Sequence, residues 1–172
     1  MGGSLGAHAL NVHVCRHLDA LRAAGIEVRH QTGVRDEAVT REAYAAAGYD
    51  PACVSAFIDD MASAYAWADL VLCRAGATTV AELCAAGLPS VLVPFPYAVH
   101  DHQTRNAQAL VAEGAALMLP EARMESDGLM AQVTDLLQDT GRLRTMAAAA
   151  SGCARVRAAE LVAAELETVC AR

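Results

Sequence analysis

The chain is poor in aromatic residues, which make up 4% of its 172 positions. Proteins that bind single-stranded nucleic acid without sequence preference stack the bases on aromatic side chains. Binding to the phosphate backbone also requires positive charge, and this chain carries a formal net charge of -7. The composition therefore argues against a general nucleic-acid-binding protein, and we expect no nucleic acid among its partners.

Long hydrophobic runs are absent as well, although 55% of the residues are hydrophobic. No run reaches the roughly 18 apolar residues that a membrane-spanning helix needs. The first residues also lack the charged and apolar regions of a signal peptide. We therefore expect a cytoplasmic protein without a membrane span of its own.

Paired cysteine motifs are missing, because no two of the six cysteines form a Cys-x-x-Cys pair. Several of them fall in predicted strands or on apolar helix faces, where a reduced, buried thiol is the usual state. We therefore expect neither a redox role nor cysteine-bound metal. The cysteines are Cys15, Cys53, Cys73, Cys84, Cys153 and Cys170.

Motifs for covalent catalysis and for a metal-held sugar diphosphate are also absent. No Gly-x-Ser-x-Gly is present, no cysteine has an obvious activating neighbour, and no Asp-x-Asp triplet occurs. A bound phosphate would have to be neutralised by helix dipoles and backbone donors. His13 and His17 stand one helical turn apart and could chelate a metal, but such a pair more often lies on a helix surface. We expect neither a metal nor a cofactor.

The sequence does contain a regular alternation of short apolar runs and amphipathic segments. The apolar runs predict strands over 27–32, 53–57, 70–73, 90–93 and 116–119. The amphipathic segments predict helices over 7–24, 35–47, 58–67, 79–87, 102–113, 127–138, 141–150 and 153–171. The alternation indicates an α/β fold, a Rossmann-like doubly wound parallel sheet with right-handed crossovers. A length of 172 residues fits one domain.

The stretch from Trp67 to Asn106 organises the chain. It reads as a buried strand, a glycine turn, a helix, a second buried strand and a proline-rich loop. Thr79 and Glu82 have the spacing of a capping box, and Gly87 closes the helix. In parallel sheets, ligands bind beyond the carboxyl ends of the strands, where helix starts attract anions. The sequence therefore predicts a phosphate or nucleotide site at this edge.

A glycine-rich turn opens the chain at residues 2–6, and a helix follows it directly. Such a turn normally follows a strand. Because almost no residue precedes it here, we expect a chain that begins partway through a larger protein. Gly2, Gly3, Ser4 and Gly6 could let a diphosphate approach the backbone, or they could form an ordinary turn.

Three polar features of the predicted edge each allow more than one interpretation. Glu82 could accept hydrogen bonds from both hydroxyls of a ribose, or it could only complete the capping box. Arg74 could neutralise phosphate or lie solvated in a loop. A polar cluster could bind sugar hydroxyls, hold a metal or cap a helix through Asp101. This cluster consists of His100, Asp101, His102, Gln103 and Asn106.

Several segments resemble one family in their order and spacing. They are GGSLGA at 2–7, HQTG at 30–33, FIDDMASAYAWADLVLCRAGATTVAEL at 57–83, GLPSVLVPFPYA at 87–98 and DHQTRNA at 101–107. Together they resemble the C-terminal domain of the MurG family, bacterial glycosyltransferases of peptidoglycan synthesis, over essentially the whole chain. The resemblance implies one half of a two-domain GT-B enzyme. That enzyme transfers N-acetylglucosamine from UDP-N-acetylglucosamine (UDP-GlcNAc) to the C4 hydroxyl of undecaprenyl-pyrophosphoryl-N-acetylmuramyl-pentapeptide (lipid I), with inversion.

The resemblance also implies roles for particular residues in binding the donor. Ser4 and the glycine loop, with Gly3 and Gly6, would face the diphosphate, and Ile58 would hold the uracil through its backbone. Glu82 would accept hydrogen bonds from the ribose hydroxyls, which favours ribose binding over a mere capping role for this residue. The loop and helix start around the phosphates and nucleoside would be Ala77, Thr78, Thr79, Val80 and Ala81. Gln103, with its neighbour His102, would bind the sugar hydroxyls, and no catalytic residue is expected in this half.

The partners and location of the whole enzyme follow from the same resemblance. Lipid I and the membrane would be contacted only through the N-terminal half, on the cytoplasmic face of the inner membrane. The present chain alone would bind UDP-GlcNAc weakly and transfer nothing. An alternative is a free-standing nucleotide-sugar-binding subunit that needs a separate acceptor-binding chain. The HQTG and FIDDMA segments argue against a related UDP-sugar epimerase, and the lack of Gly-x-Gly-x-x-Gly argues against a nicotinamide-binding domain.

Overall fold

A computed structural model of the protein describes residues 8–155 and, beyond them, residues 158, 160, 162, 163, 166 and 167. Strands and helices alternate along this part of the chain. The strands are β1 His30–Gln31, β2 Val54–Ser55, β3 Val71–Cys73, β4 Ser90–Leu92 and β5 Ala116–Met118. The helices are α1 His8–Cys15, α2 Leu18–Ala23, α3 Glu37–Ala46, α4 Met61–Trp67, α5 Ala77–Ala86, α6 His102–Ala112, α7 Leu129–Gln138 and α8 Thr140–Gly152. Single 3₁₀ turns cover Pro51–Cys53, Val99–Asp101 and Glu121–Arg123.

All strand pairs among the described residues are parallel, and they form two separate sheets. β1 pairs with β2, while β3, β4 and β5 pair in that order. In the larger sheet Leu72 lies opposite Val91, and Val91 lies opposite Leu117. A parallel pair needs a crossover connection, which α5 supplies between β3 and β4 and α6 supplies between β4 and β5. The predicted parallel α/β fold is confirmed.

Apolar helix faces cover the strands on both sides and form two core clusters. One cluster brings α2 and α7 together with β4 through Leu18, Leu129 and Val91. The other brings α5 together with β4 through Leu83 and Leu92. Neighbouring residues of β4 therefore point to opposite faces. A strand that is buried on both faces explains why residues 90–93 form a continuous apolar run.

A cavity of about 550 Å³ lies between β1 and β3, where the two sheets are not joined. Leu10 and Val133, from α1 and α7, line it on one side of the strands. Met61 and Tyr65 of α4, whose core contacts are with the other cluster, also line it. The cavity thus extends from one helix layer to the other through the gap between the two sheets.

The helix predicted over 7–24 is broken into α1 and α2. The ring Nδ1–H of His17 donates to the carbonyl of His13 at 2.8 Å. The backbone N–H of His17 bonds instead to the carbonyl of Val14 at 3.0 Å. The side chain therefore takes the carbonyl that a continuing α-helix would offer to residue 17. The apolar residues that repeat along the predicted helix still form one buried stripe across the break: Leu10, Val14, Leu18 and Leu21.

The start of α5 differs from the prediction, while its end agrees. Gly76 is the N-cap in an extended conformation, so the helix begins at Ala77 and Thr79 lies within its first turn. The predicted capping box of Thr79 and Glu82 is therefore wrong, because the chain enters the helix before Thr79 can act as a cap. Gly87 closes the helix with a left-handed φ of 65°, as predicted.

The start of α4 is also later than predicted. Asp60 is its N-cap, and the carboxylate accepts a hydrogen bond from the backbone N–H of Ser63 at 3.0 Å. The helix therefore begins at Met61 rather than at Ile58. Asp60 therefore stabilises the helix start as its cap.

The C-terminal part of the chain is described only in part. α8 ends at Gly152, and residues 158, 160, 162, 163, 166 and 167 are helical. The rest of the helix predicted over 153–171 from residue 156 on, including Cys170, lies outside the described residues. No helix in the described ranges is both long and apolar enough to cross a membrane.

The five described cysteines are free thiols, as predicted. Cys73 and Cys84 are buried. Burial raises the pKa of Cys73 to about 11, which keeps this thiol protonated and unreactive at neutral pH.

Candidate functional site

The carboxyl ends of β3 and β4 lie side by side, because Cys73 is paired with Leu92. From β3 the chain turns through Gly76 into α5, whose first residues Ala77 and Thr78 are exposed. No side chain among the described residues caps this helix start. Its first N–H groups are therefore open to an anionic ligand, and the positive end of the helix dipole favours one. This edge, which we call the crevice, is where the sequence predicts a phosphate or nucleotide site, and binding there stays a prediction.

Glu82 lies in the second turn of α5, and a neighbouring helix orients its carboxylate. The hydroxyl of Tyr65 on α4 donates to Glu82 Oε2 at 2.9 Å. Tyr65 is 8% exposed, whereas Glu82 is exposed. Burial raises the pKa of Tyr65, and the hydrogen bond to Glu82 raises it further, so the hydroxyl remains a donor. The helix-cap interpretation of Glu82 is excluded because the capping box does not form.

Gln103 on α6 connects the two loops that border the crevice. Its Oε1 accepts hydrogen bonds from the backbone N–H of Ala75 at 3.2 Å and of Phe95 at 2.9 Å. Asn106 adds a hydrogen bond from Nδ2 to the carbonyl of Ala75 at 3.0 Å. Because the amide oxygen of Gln103 is engaged, its Nε2 donors are the groups left for a ligand.

His102 begins α6 and is exposed. Its Nδ1–H donates to the carbonyl of Val99 at 2.8 Å, which leaves the Nε2 lone pair as an acceptor. His100 and Asp101 precede it with left-handed φ values of 52° and 55°, which make a sharp turn into the helix. Asp101 accepts a hydrogen bond from the hydroxyl of Thr104 at 2.5 Å and caps no backbone N–H. Asp101 is therefore the N-cap residue of α6 by position, but its carboxylate does not cap the helix as one of the three interpretations requires.

Arg74 is buried at the same edge, with 4% of its surface exposed. Its guanidinium donates to the carbonyls of Val93 at 3.1 Å and Pro94 at 3.3 Å. It also forms an ion pair with Glu121, in the segment after β5. Arg74 therefore ties together the loops that follow three neighbouring strands. The prediction of a solvated loop arginine is wrong, and the buried ion pair disfavours a contact with phosphate.

The other predicted site residues are placed as follows. Ile58 is half-buried between β2 and α4, where its side chain lines the cavity, and the uracil contact of its backbone stays a prediction. Thr79 and Val80 are half-buried in α5, and Ala81 is exposed. The loop residues lie outside the described part of the chain, so their contact with a diphosphate stays a prediction: Gly2, Gly3, Ser4 and Gly6.

A chain of buried hydrogen bonds supports the start of α1, and sequence reasoning missed it. His8 Nδ1 lies 3.0 Å from Asp36 Oδ1, and Asn11 Nδ2 donates to Asp36 Oδ2 at 2.8 Å. His30 Nε2–H donates to Asn11 Oδ1 at 3.0 Å, and the hydroxyl of Tyr44 donates to His30 Nδ1 at 3.0 Å. Both ring nitrogens of neutral His30 are thus satisfied, which gives the first residue of the HQTG segment a structural role.

Two titratable groups of this buried chain have shifted pKa values. Burial lowers the pKa of His30 to about 4. Burial opposes the ionisation of Asp36, but hydrogen bonds from Asn11 and His8 outweigh it and hold the pKa of Asp36 below its usual range. The residues that sequence reasoning missed share one signal: Tyr65, Asn11 and Asp36 carry polar groups at positions that face the core.

The two histidines that were expected on the surface of one helix are divided by the break between α1 and α2, and only one of them is at the surface. His17 is partly exposed, but His13 is buried, with 4% of its surface exposed. His13 lies on the same side of α1 as the buried residues Leu10 and Val14, so it faces the core and not the solvent.

Comparisons with known proteins agree with this geometry. The glycosyltransferase family 28 C-terminal domain matches residues 1–162. The UDP-N-acetylglucosamine--N-acetylmuramyl-(pentapeptide) pyrophosphoryl-undecaprenol N-acetylglucosamine transferase of Nitratidesulfovibrio vulgaris (strain DP4) is 55% identical over 162 residues, which are 94% of this chain and 44% of the relative. The transferase of the same name from Lawsonia intracellularis is 51% identical over 166 residues, 96% of this chain and 46% of the relative. The crystal structure of Acinetobacter baumannii MurG matches with a TM-score of 0.80 and 38% identity, over 98% of this chain and 50% of that chain.

The parallel sheet and the polar edge at the carboxyl ends of its strands define the chain as a Rossmann-like domain of the kind that forms one half of GT-B glycosyltransferases. The chain belongs to the family of C-terminal domains of family 28 glycosyltransferases. Its resemblance to the C-terminal domain of MurG is confirmed by the solved structure and by the curated relatives. The chain spans less than half the length of those curated relatives.

Proposed function

We propose that residues 1–172 form the donor-binding half of a glycosyltransferase that uses UDP-GlcNAc. The observation that carries the proposal is the Tyr65–Glu82 hydrogen bond beside the uncapped start of α5. A carboxylate that is oriented by a buried hydroxyl can accept hydrogen bonds from both hydroxyls of a ribose. The diphosphate of the same nucleotide would then lie against the open N–H groups of the first helical turn.

The other residues of the crevice have complementary roles in this proposal. The backbone of Ile58 holds the uracil, and the glycine loop with Ser4 faces the diphosphate. The Nε2–H groups of Gln103 donate to sugar hydroxyls, while His102 Nε2 accepts from one. These two assignments are supported by the hydrogen bonds that already occupy Gln103 Oε1 and His102 Nδ1. The helix start around the phosphates and nucleoside comprises Ala77, Thr78, Thr79, Val80 and Ala81.

The proposed reaction is an inverting transfer. The C4 hydroxyl of the N-acetylmuramyl unit of lipid I attacks the anomeric carbon, the new C–O bond forms, and the bond to UDP breaks. The negative charge that develops on the leaving diphosphate is stabilised by the N–H groups and dipole of α5. The proton of the acceptor hydroxyl goes to a base outside this half. The proposal includes no metal and no cofactor.

The acceptor and the membrane enter only through the remainder of the proposed enzyme. Lipid I binds to the N-terminal half, whose contact with the bilayer holds the whole protein at the cytoplasmic face of the inner membrane. The acceptor in this proposal is supported by the relatives, which are named as N-acetylmuramyl-(pentapeptide) pyrophosphoryl-undecaprenol N-acetylglucosamine transferases.

Calorimetric titration of this chain with UDP-GlcNAc, UDP-glucose and NAD tests the proposal. We expect UDP-GlcNAc to bind more tightly than UDP-glucose, because the N-acetyl sugar is the proposed donor, and we expect NAD not to bind. We also expect no transfer of N-acetylglucosamine to a lipid I analogue by this chain alone. NAD binding as tight as that of UDP-GlcNAc, or measurable turnover, would contradict the proposal.

A further inference from the structure

His13, His17 and Glu125 lie together beside α1, and none of them belongs to the crevice described above. One ligand atom from each residue lies within 4.8 Å of the other two. His13 Nδ1 is 3.4 Å from Glu125 Oε2, and the two imidazole rings are 4.6 Å apart between centroids. In a tetrahedral zinc site, bonds of about 2.0–2.2 Å place the ligand atoms roughly 3.4 Å apart. The separations in the cluster therefore exceed the spacing of a zinc site by at most about 1.4 Å.

The hydrogen bond of His17 prepares this residue for coordination. Its Nδ1 lies 2.8 Å from the carbonyl of His13, and because a carbonyl only accepts, Nδ1 must carry the proton. The lone pair of the ring is then on Nε2, which is the free nitrogen. Metal-binding histidines commonly donate their second ring N–H to a backbone carbonyl in this way, which fixes both the tautomer and the ring orientation.

His13 supplies a rigid ligand, and Glu125 supplies an adjustable one. The side chain of His13 is 5% exposed, whereas that of Glu125 is 75% exposed. His13 Nε2 is buried and has no hydrogen-bond partner among the described residues. In the metal-free protein the carboxylate of Glu125 favours a proton on Nδ1. A metal ion bound between them would replace that proton, so that Nδ1 offers its lone pair on the side of Glu125 and Nε2 carries the proton of the neutral ring. The exposed carboxylate can move the remaining distance towards a bound ion.

We propose that His13, His17 and Glu125 bind one divalent transition-metal ion of the zinc class. Two imidazoles and one carboxylate suit Zn²⁺, and water takes the fourth position. The ion joins the end of α1 to the segment between β5 and α7, which contains Glu125. It therefore clamps the helix that follows the glycine-rich turn. The site is independent of the proposed glycosyltransferase activity.

Titration of the chelator-treated chain with Co²⁺ and with Zn²⁺ tests the site. We expect saturation at one Co²⁺ per chain with the visible absorption bands of tetrahedral cobalt, and one Zn²⁺ per chain by calorimetry. Zn²⁺ should also raise the thermal midpoint, because it binds the folded state. Loss of a ligand should weaken Zn²⁺ binding at least about tenfold in His17→Ala and in Glu125→Gln.

His100→Asn provides the matched control, because it removes an exposed histidine outside the cluster. This variant should bind Zn²⁺ with the affinity of the parent chain. Glu125 is exposed, so Glu125→Gln should fold normally, and it decides the question if His17→Ala does not fold. The proposal is overturned if binding is not saturable at one ion per chain, or if Glu125→Gln binds as tightly as the parent.

Discussion

At the scale of single residues, the crevice differs from the sequence prediction in which atoms are available to a ligand. Gln103 looks like a group that can both donate and accept, but two backbone N–H groups already occupy its oxygen. Glu82 looks like a candidate cap, but its carboxylate is held by the buried hydroxyl of Tyr65. The crevice therefore offers acceptors at Glu82 and His102 and donors at Gln103 and at the helix start.

Replacing Glu82 with glutamine tests the role of its carboxylate. We expect the affinity for UDP to fall by about 1.5–3 kcal/mol, the scale of a hydrogen bond to a charged group. The free energy of unfolding should change little, because Glu82 is exposed and caps no helix. Calorimetric titration and urea unfolding measure the two quantities. Glu113→Gln, at an exposed position near the end of α6, is the control. Unchanged affinity with a large loss of stability would mean that Glu82 has only a structural role.

At the scale of helices and strands, local signals predicted the ends of elements better than their starts. Gly87 ends α5 as predicted, because few residues other than glycine adopt a left-handed φ without strain. The start of α5 was predicted two residues too late, because Gly76 can leave the strand direction without help from a capping side chain. Strand β1 is shorter than predicted, because the described ladder with β2 pairs only His30 and Gln31, although the backbone N–H of Thr32 still bonds to the carbonyl of Ser55 at 3.0 Å.

Substitution of Gly87 by alanine tests the closure of α5. The residue has φ of 65°, and an added Cβ would press against the hydroxyl of Ser151, a side chain that can rotate away. We expect a loss of about 1–2 kcal/mol in the free energy of unfolding, mainly from the left-handed backbone. Gly152→Ala is the matched control, because a Cβ there meets nothing within 4 Å and no left-handed φ is involved. Equal stability of the two variants in urea unfolding would contradict this account.

At the scale of the whole molecule, stability depends on pH through the buried His30. Its pKa is about 4 in the folded state because burial disfavours the charged ring, against 6.5 for an exposed histidine. Between these values the unfolded chain binds a proton that the folded chain does not, so stability rises with pH over this window. The contribution of neutral His30 to the free energy of unfolding is therefore complete above about pH 6.5, and it is lost as the pH falls towards 4.

We therefore expect the free energy of unfolding to fall by up to about 3 kcal/mol between pH 7 and pH 4 on account of this residue. Urea unfolding across this range measures the slope, and His30→Gln should flatten it, because glutamine does not titrate. The variant is less stable at every pH, because Tyr44 and Asn11 lose their hydrogen-bond partner. The comparison is therefore between the slopes of the free energy of unfolding against pH, not between its absolute values. An unchanged slope in the variant would contradict the assignment.

The gap between the two sheets gives a second prediction at this scale. If residues 1–172 are the donor-binding half of a longer enzyme, as proposed, an apolar strand ahead of residue 1 should enter the cavity between β1 and β3. We expect that fusing a segment of five alternating Val and Ile residues ahead of residue 1 raises the midpoint of thermal unfolding by roughly 5 °C or more. The control fusion has the same length with proline at its centre, because proline cannot donate to a sheet. Equal midpoints for both fusions would count against the strand.

The sequence by itself determined the α/β class, the order of the elements and the apolar residues that enter the core. These properties follow from local periodicity, since apolar residues that repeat along a strand or helix must be buried wherever that element packs. Only the tertiary structure decided that Arg74 is a buried tie, that Tyr65 orients Glu82, and that His13 meets Glu125. Such pairs join residues far apart in the sequence, and no local pattern specifies which polar groups packing brings within hydrogen-bond distance.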